Sequence, residues 1–331
     1  MFTCFPGTSW MWNLGFASGL SLMIQVSTGV VVSMNYNPGN PYNDLDVVER
    51  DRGGWFWRGI HSAGASTYFV IMYLHTLRSL VINSTNFVAW STGLLVLLWS
   101  LLTALLGYAL TYGNMAHWAL TVVSSVTLVL PYGDYIQPNV VGGFSVNMSM
   151  IPRVYSTHYL TGLCLLAVVS VHVHFVHEEG NNSELGVNSN LCSIDFLSAQ
   201  LVKDSLTAWG VITLLCILQV KCHKLDVITF DPQVFRPVNT EAAPEPIGPE
   251  WYVLPPFGGL KITEVPKLIL MSVFVCMAST TYIRSRTPMI LMIGVLLMIL
   301  GIQAMTAHVN INMAEAVGLS VSIIALSVFI E

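Results

Sequence analysis

Apolar residues in this chain come in long unbroken runs, not in alternation and not as one-sided stripes. Crossing the hydrocarbon core of a bilayer takes about 20 mostly apolar residues. Eight runs meet that length: A over 12–33, B over 57–80, C over 90–111, D over 156–177, E over 203–220, F over 266–284, G over 288–305 and H over 310–330. Run B is the least apolar, broken by Arg58, His61 and a cluster of hydroxyls. The pattern predicts an all-α polytopic membrane protein: an N-terminal four-helix bundle in 1–202 and a C-terminal four-helix segment in 203–331. Successive spans alternate in direction. The three long connections A–B, C–D and E–F therefore fall on one side of the membrane, with short B–C and F–G and the intermediate D–E on the other.

Composition supports the class. Of 331 residues, 54% are hydrophobic and 9% charged, against roughly 25% charged in soluble domains. Mean hydropathy is +0.65. The net charge of −5 comes without a basic block, which excludes a nucleic-acid partner. The six cysteines are scattered and form no CxxC or CxxCH motif, so they read as buried thiols. No basic n-region and cleavage site precede run A, which reads as a permanent helix. The positive-inside rule does not orient the chain. Arg78, Lys203, Arg284 and Arg286 lie on one side and the other basic residues on the opposite side, mostly in long loops where the rule is weak.

Candidate chemistry sits in runs B and D. His61 and His75 are 14 residues apart, and so are His158 and His172. Fourteen helical steps return to within about 40° of the starting direction and rise roughly 21 Å, so each pair shares a face. B and D run in the same direction. Packed side by side, they oppose His61 to His158 and His75 to His172, two layers of paired imidazoles near the two membrane surfaces. Two facing nitrogens are what a six-coordinate heme needs inside a bundle. A zinc ion would be half coordinated by the same pair. Runs A and C repeat the interval with Gly15 and Gly29, and Gly93 and Gly107. Glycines there let a flat macrocycle approach the backbone. Arg58 and Arg78 flank the first histidine pair at the span ends, suited to heme propionates. His174 breaks the spacing and has no cofactor role.

The segments "WNLGFASGLSLMIQVSTG", "RDRGGWFWRGIHSAGASTYFVIMYLHTLRS", "GYALTYGNMAHWALTV", "GGFSV", "HYLTGLCLLAVVSVHVHFVHEEGNN" and "GPEWY", in this order over roughly 10–270, resemble mitochondrial cytochrome b, the di-heme membrane subunit of ubiquinol–cytochrome c reductase. The resemblance implies two b-type hemes. His61 and His158 would ligate the low-potential heme, and His75 and His172 the high-potential one. It also implies two quinone sites on opposite faces. Glu250 is the expected proton acceptor in quinol oxidation, with Tyr252 beside it and Tyr112, Gly113, Met115, Ala119 and Phe257 lining the pocket. His177, Asp204 and Lys203 are expected at the inner site, where quinone is reduced, with Asn181 where the family has a quinone-contacting serine.

The implied partners are a Rieske-type iron–sulfur protein, a cytochrome c1-type subunit, other complex subunits, membrane lipid and a second copy in a homodimeric complex. The implied setting is the mitochondrial inner membrane, and the implied function is electron transfer with proton translocation. Departures mark a divergent member. "TYG" at 111–113 stands where animal members have Pro-Trp-Gly, and Ala119 stands at a position usually glycine, which predicts weakened binding of strobilurin-type inhibitors. Two other readings explain paired histidines: a different di-heme membrane electron carrier, and a heme-free proton-coupled transporter. The first does not account for "PEWY", the long one-sided loops or spans E–H, and the second would bind no heme.

Overall fold

The computed structural model describes residues 3–4, 9–51, 53–81, 87–128, 131–180, 194–225, 236–243 and 250–253. The expected spans F, G and H, together with Asn181 and Phe257, lie outside the described residues. The contacts divide the chain into two units: residues 1–104 with 156–235, and 105–155 with 236–331.

Five long helices answer to runs A–E: α1 (Leu14–Ser33), α3 (Gly54–Val81), α4 (Phe87–Ala109), α7 (Ile151–Glu179) and α8 (Leu201–Leu225). Among the described residues, four helical stretches, Trp10–Ser33, Phe87–Ala109, Met148–Glu178 and Phe196–Gln219, are long and apolar enough to cross a membrane. At 28 residues α3 has the length, about 42 Å at 1.5 Å per residue. Its arginines, histidines and hydroxyls are what lower its hydropathy.

Three shorter helices lie in segments that hydropathy reads only as loops: α2 (Pro41–Arg50), α5 (Asn114–Thr127) and α6 (Gly133–Val141). A search for 20-residue apolar runs passes over them. In α2 a proline opens the first turn and only one side, Leu45 and Val48, is buried.

In the first unit a 3-10 turn, Trp10–Asn13, leads into α1 and is capped by Ser9, whose Oγ accepts from the Met11 N–H at 3.3 Å. A π turn, Phe196–Gln200, leads in the same way into α8. Two short antiparallel strands, β1 (Thr3–Cys4) and β2 (Ile194–Asp195), tie these two entries together.

Ala17 of α1, Ile71 of α3, and Val211 and Leu215 of α8 form a buried core, flanked by Leu14, Leu20 and Ile24. The Gln219 side chain, fully buried, presses on Gly59 and donates to the Trp55 carbonyl at 3.2 Å. Helix α8, assigned by chain order to the C-terminal segment, thus packs on α1 and α3. Tyr68 of α3 hydrogen-bonds Ser100 of α4 at 2.8 Å, and Trp99 of α4 donates to the Thr161 carbonyl of α7 at 3.0 Å. The backbone of α3 packs against α1, α2 and α8. The helix meets α7 through its side chains, with the His61 ring opposite that of His158.

The second unit has its own core of Ala109, Tyr112, Leu120, Val141, Met150, Ile151 and Val154. Tyr112 turns the chain out of α4 with a positive φ of 43°. Asn114 opens α5 and pins the 236–243 segment. Its N–H donates to the Arg236 carbonyl at 2.9 Å, and its Oδ1 accepts from the Asn239 N–H at 3.0 Å.

Candidate functional site

The first unit brings the predicted histidines together in two layers. In the outer layer the rings of His61 and His158 lie 6.4 Å apart, centre to centre, with planes at 90°. In the inner layer the His75 ring lies against α1 and the His172 ring against α4. Three of the four predicted glycines face these rings. A Cβ at Gly29 would lie 3.0 Å from Cε1 of His61, one at Gly93 3.0 Å from Cε1 of His172, and one at Gly15 3.3 Å from Cε1 of His75. The absence of a side chain is therefore what lets each imidazole lie against the neighbouring helix. Gly107 is half-buried near the end of α4.

Hydrogen-bond arithmetic fixes the state of three rings. Nδ1 of His61 is 3.0 Å from Thr28 Oγ1, whose own proton goes to the Ile24 carbonyl at 2.7 Å. The hydroxyl can then only accept, so His61 carries its proton on Nδ1. The same holds for His172, 3.2 Å from Thr92 Oγ1, which donates to the Val88 carbonyl at 2.8 Å. His158 Nδ1 is 2.8 Å from the Thr103 carbonyl, which has no proton to give. All three are Nδ1–H tautomers with an Nε2 lone pair left over, the arrangement of a metal-ligating histidine whose second nitrogen is anchored. The fourth differs: Nδ1 of His75 is buried and has no partner among the described residues.

These residues fit a bis-histidine heme. Two imidazoles on one metal, each bonded at about 2.0–2.1 Å, hold their ring centres about 6 Å apart, close to the outer-layer separation. Among the described residues no three His, Cys, Asp or Glu side chains gather as a metal site. The arginines have partners of their own. Arg58 is buried against Glu49 of α2 in an ion pair. Arg78 lies 5.1 Å from the Trp12 ring and donates to the Met11 carbonyl at 3.4 Å.

At the inner end Asp204 is buried, and its Oδ1 accepts from Asn13 Nδ2 at 2.8 Å and from Gln200 Nε2 at 2.7 Å. Lys203 points elsewhere, donating to the Ser9 carbonyl at 2.9 Å above Trp10. His177 is exposed near the end of α7, and His174, one turn earlier, faces Glu178 at 4.0 Å.

In the second unit Tyr112, Gly113 and Met115 are buried at the α4–α5 turn, and Ala119 is half-buried. Burial raises the Tyr112 hydroxyl pKa and lowers that of the His117 imidazole. His117 packs edge-on against Tyr112 at 6.1 Å, and its buried Nδ1 has no partner among the described residues. Tyr252 is buried in the turn Trp251–Val253, and Glu250 just before it is half-buried.

The profile of the Cytochrome b/b6/petB family matches residues 4–180. The chain belongs to the cytochrome b family. It is a divergent member, 35% identical to the cytochrome b of Eptatretus burgeri over 74% of this chain and 64% of the relative, and 32% identical to that of Solanum tuberosum over 84% and 72%. The chain thus spans just under two thirds of the Eptatretus protein. Its fold is that of a chain in a "Hyperthermophilic respiratory Complex III", with a TM-score of 0.80 at 20% identity, covering 98% of this chain and 90% of that one.

The expected site residues did not include Thr28 and Thr92, which meet Nδ1 of His61 and of His172. Their signal is the tripeptide Ser-Thr-Gly, which occurs at 27–29 in α1 and again at 91–93 in α4. In each, the glycine makes room for an imidazole and the threonine before it accepts a hydrogen bond from Nδ1–H.

Proposed function

We propose that the chain is the electron-transferring membrane subunit of a quinol–cytochrome c reductase, with eight spans, a di-heme bundle in 1–202 and a C-terminal segment in 203–331. The observation that carries this is the set of three Nδ1–H histidines in two layers, each with a free Nε2. His61 and His158 would hold one heme b, of low potential, and His75 and His172 the other, of high potential. Bound there, the hemes supply two one-electron sites across the membrane.

The chain's own residues do the rest. Quinol gives up two electrons and two protons on oxidation. Glu250 is half-buried, where a carboxylate is less solvated than in water, and takes one of those protons. Tyr252 shapes the pocket with Tyr112, Gly113, Met115, Ala119 and Phe257. One electron goes to a Rieske-type partner and on to a cytochrome c1-type subunit; the other crosses the bundle, roughly 21 Å along 14 residues of helix. At the inner face Asp204 and His177 bind quinone and deliver protons to it, and Lys203 and Asn181 are assigned to the same site by the family resemblance. Oxidation on one side and reduction on the other moves protons across the membrane. The setting is the mitochondrial inner membrane, in a homodimeric complex with further subunits and lipid.

Quinol–cytochrome c turnover of the purified complex tests this. Glu250→Gln is expected to lower kcat by 10²-fold or more, the usual worth of a general base, with the heme spectrum unchanged. Full turnover in Glu250→Gln would remove Glu250 from the chemistry, and a complex without any b-type spectrum would favour a heme-free transporter.

A further inference from the structure

Gln200 belongs to no motif of the resemblance, yet it closes the hydrogen-bond network at the inner end. It is the last residue of the π turn Phe196–Gln200, a helical irregularity often found at functional sites. Its amide has two protons. One goes to Asp204 Oδ1 at 2.7 Å and the other to Asn13 Oδ1 at 3.3 Å. The Asn13 amide in turn gives its protons to Asp204 Oδ1 at 2.8 Å and to Thr207 Oγ1 at 3.1 Å. The Thr207 proton is spent on the Lys203 carbonyl at 2.9 Å. Every donor is used and each points one way, so the network has a single arrangement. Asn13 and Asp204 are both buried, at 2% and 8% exposure, so the amides and not bulk water solvate the carboxylate. Both amides donate to Oδ1; among the described residues none donates to Oδ2.

We infer that Gln200 is a positioning residue of the inner quinone site: with Asn13 it holds Asp204 by Oδ1 and reserves Oδ2 for the proton that quinone receives. This rests on the reading of Asp204 as that proton's donor. Converting a quinone to a quinol takes two electrons, which arrive along the bundle, and two protons. Asp204 gives one proton from Oδ2 to one quinone oxygen, is left as a carboxylate solvated by the two amides, and regains a proton from water at the inner face; the second proton reaches the other quinone oxygen by way of His177. Without the Gln200 donor the carboxyl can rotate about its Cβ–Cγ bond, so that the oxygen bearing the proton is no longer fixed.

The test uses the assembled complex with the outer site disabled by Glu250→Gln. Heme reduction by a short-chain ubiquinol entering the inner site is followed across neutral pH. Gln200→Met keeps the side chain's length and removes its donor. It is expected to slow reduction by about tenfold, as small misplacements of reacting groups do. It should also shift the pH profile and leave the ubiquinol KM within about twofold of the parent's. Gln200→His, which restores an N–H donor, should recover most of the rate. The redox-induced infrared difference spectrum gives a second readout: a carboxylate band that Asp204→Asn removes should move in Gln200→Met. A parental rate, pH profile and infrared band in Gln200→Met, alongside a slow Asp204→Asn, overturn the inference and leave Asp204 in its role. A parental rate in Asp204→Asn overturns the reading of Asp204 itself.

Discussion

The two histidine layers have the same spacing and are held differently. In the outer layer both Nδ1 atoms are anchored, His61 on the Thr28 hydroxyl and His158 on the Thr103 carbonyl. In the inner layer His172 is anchored on Thr92, while Nδ1 of His75 is buried with no partner among the described residues. Gly15, which faces His75, also leaves slightly more room than Gly29 leaves His61, 3.3 Å against 3.0 Å. An anchored ring has one tautomer and one orientation before any metal arrives. Among the described residues the outer layer therefore has both of its rings anchored at Nδ1 and the inner layer one of two.

The largest perturbation is removal of a ligand. His172→Leu should abolish one of two b-type signals in a reduced-minus-oxidised spectrum and leave the other, and His158→Leu should abolish the complementary one; equal loss of both in either variant would break the two-layer account. Next come the glycines. Gly29→Val puts branched carbon onto His61 and should cost most of the outer-layer heme, whereas Gly15→Val has a few tenths of an ångström more room and should cost less, read as heme per chain.

The threonines follow. Thr28→Val and Thr92→Val keep the side chain's shape and remove the Nδ1 partner. Each should weaken heme retention in its own layer by about 10–100-fold, the usual effect of losing the partner of a ligating histidine; equal loss from both layers in either variant would erase the comparison. The smallest effect is a control outside both layers. Burial holds the His117 pKa below its usual value, so its contribution to stability is present above the unfolded pKa, about 6.5, and is lost as pH falls. His117→Phe should flatten that acid-side loss in thermal melts and leave both heme signals unchanged.

The sequence carried the long helices and the histidine register well, because hydrocarbon demands runs of about 20 apolar residues and because a helix fixes which residues share a face. The ends of α1, α3 and α4 fall within about three residues of the expected spans, within the usual uncertainty of such boundaries. The same criterion hid α2, α5 and α6, which at 10, 14 and 9 residues are too short to meet it. The partners of the imidazoles were harder to read. Thr28 and Thr92 sit on other helices, and which hydroxyl meets which ring depends on how α1 and α4 are rotated. The Thr103 partner is a backbone carbonyl, which no side chain announces. Gln200 was invisible for a related reason: its role exists only once the π turn brings its amide onto Asp204 and Asn13.

The central claim is that each histidine layer holds one heme. A potentiometric titration of the purified complex, with heme counted per chain, tests it most directly. The account predicts two hemes b per chain, titrating as two one-electron waves with separate midpoints. One heme per chain, or none, would contradict it.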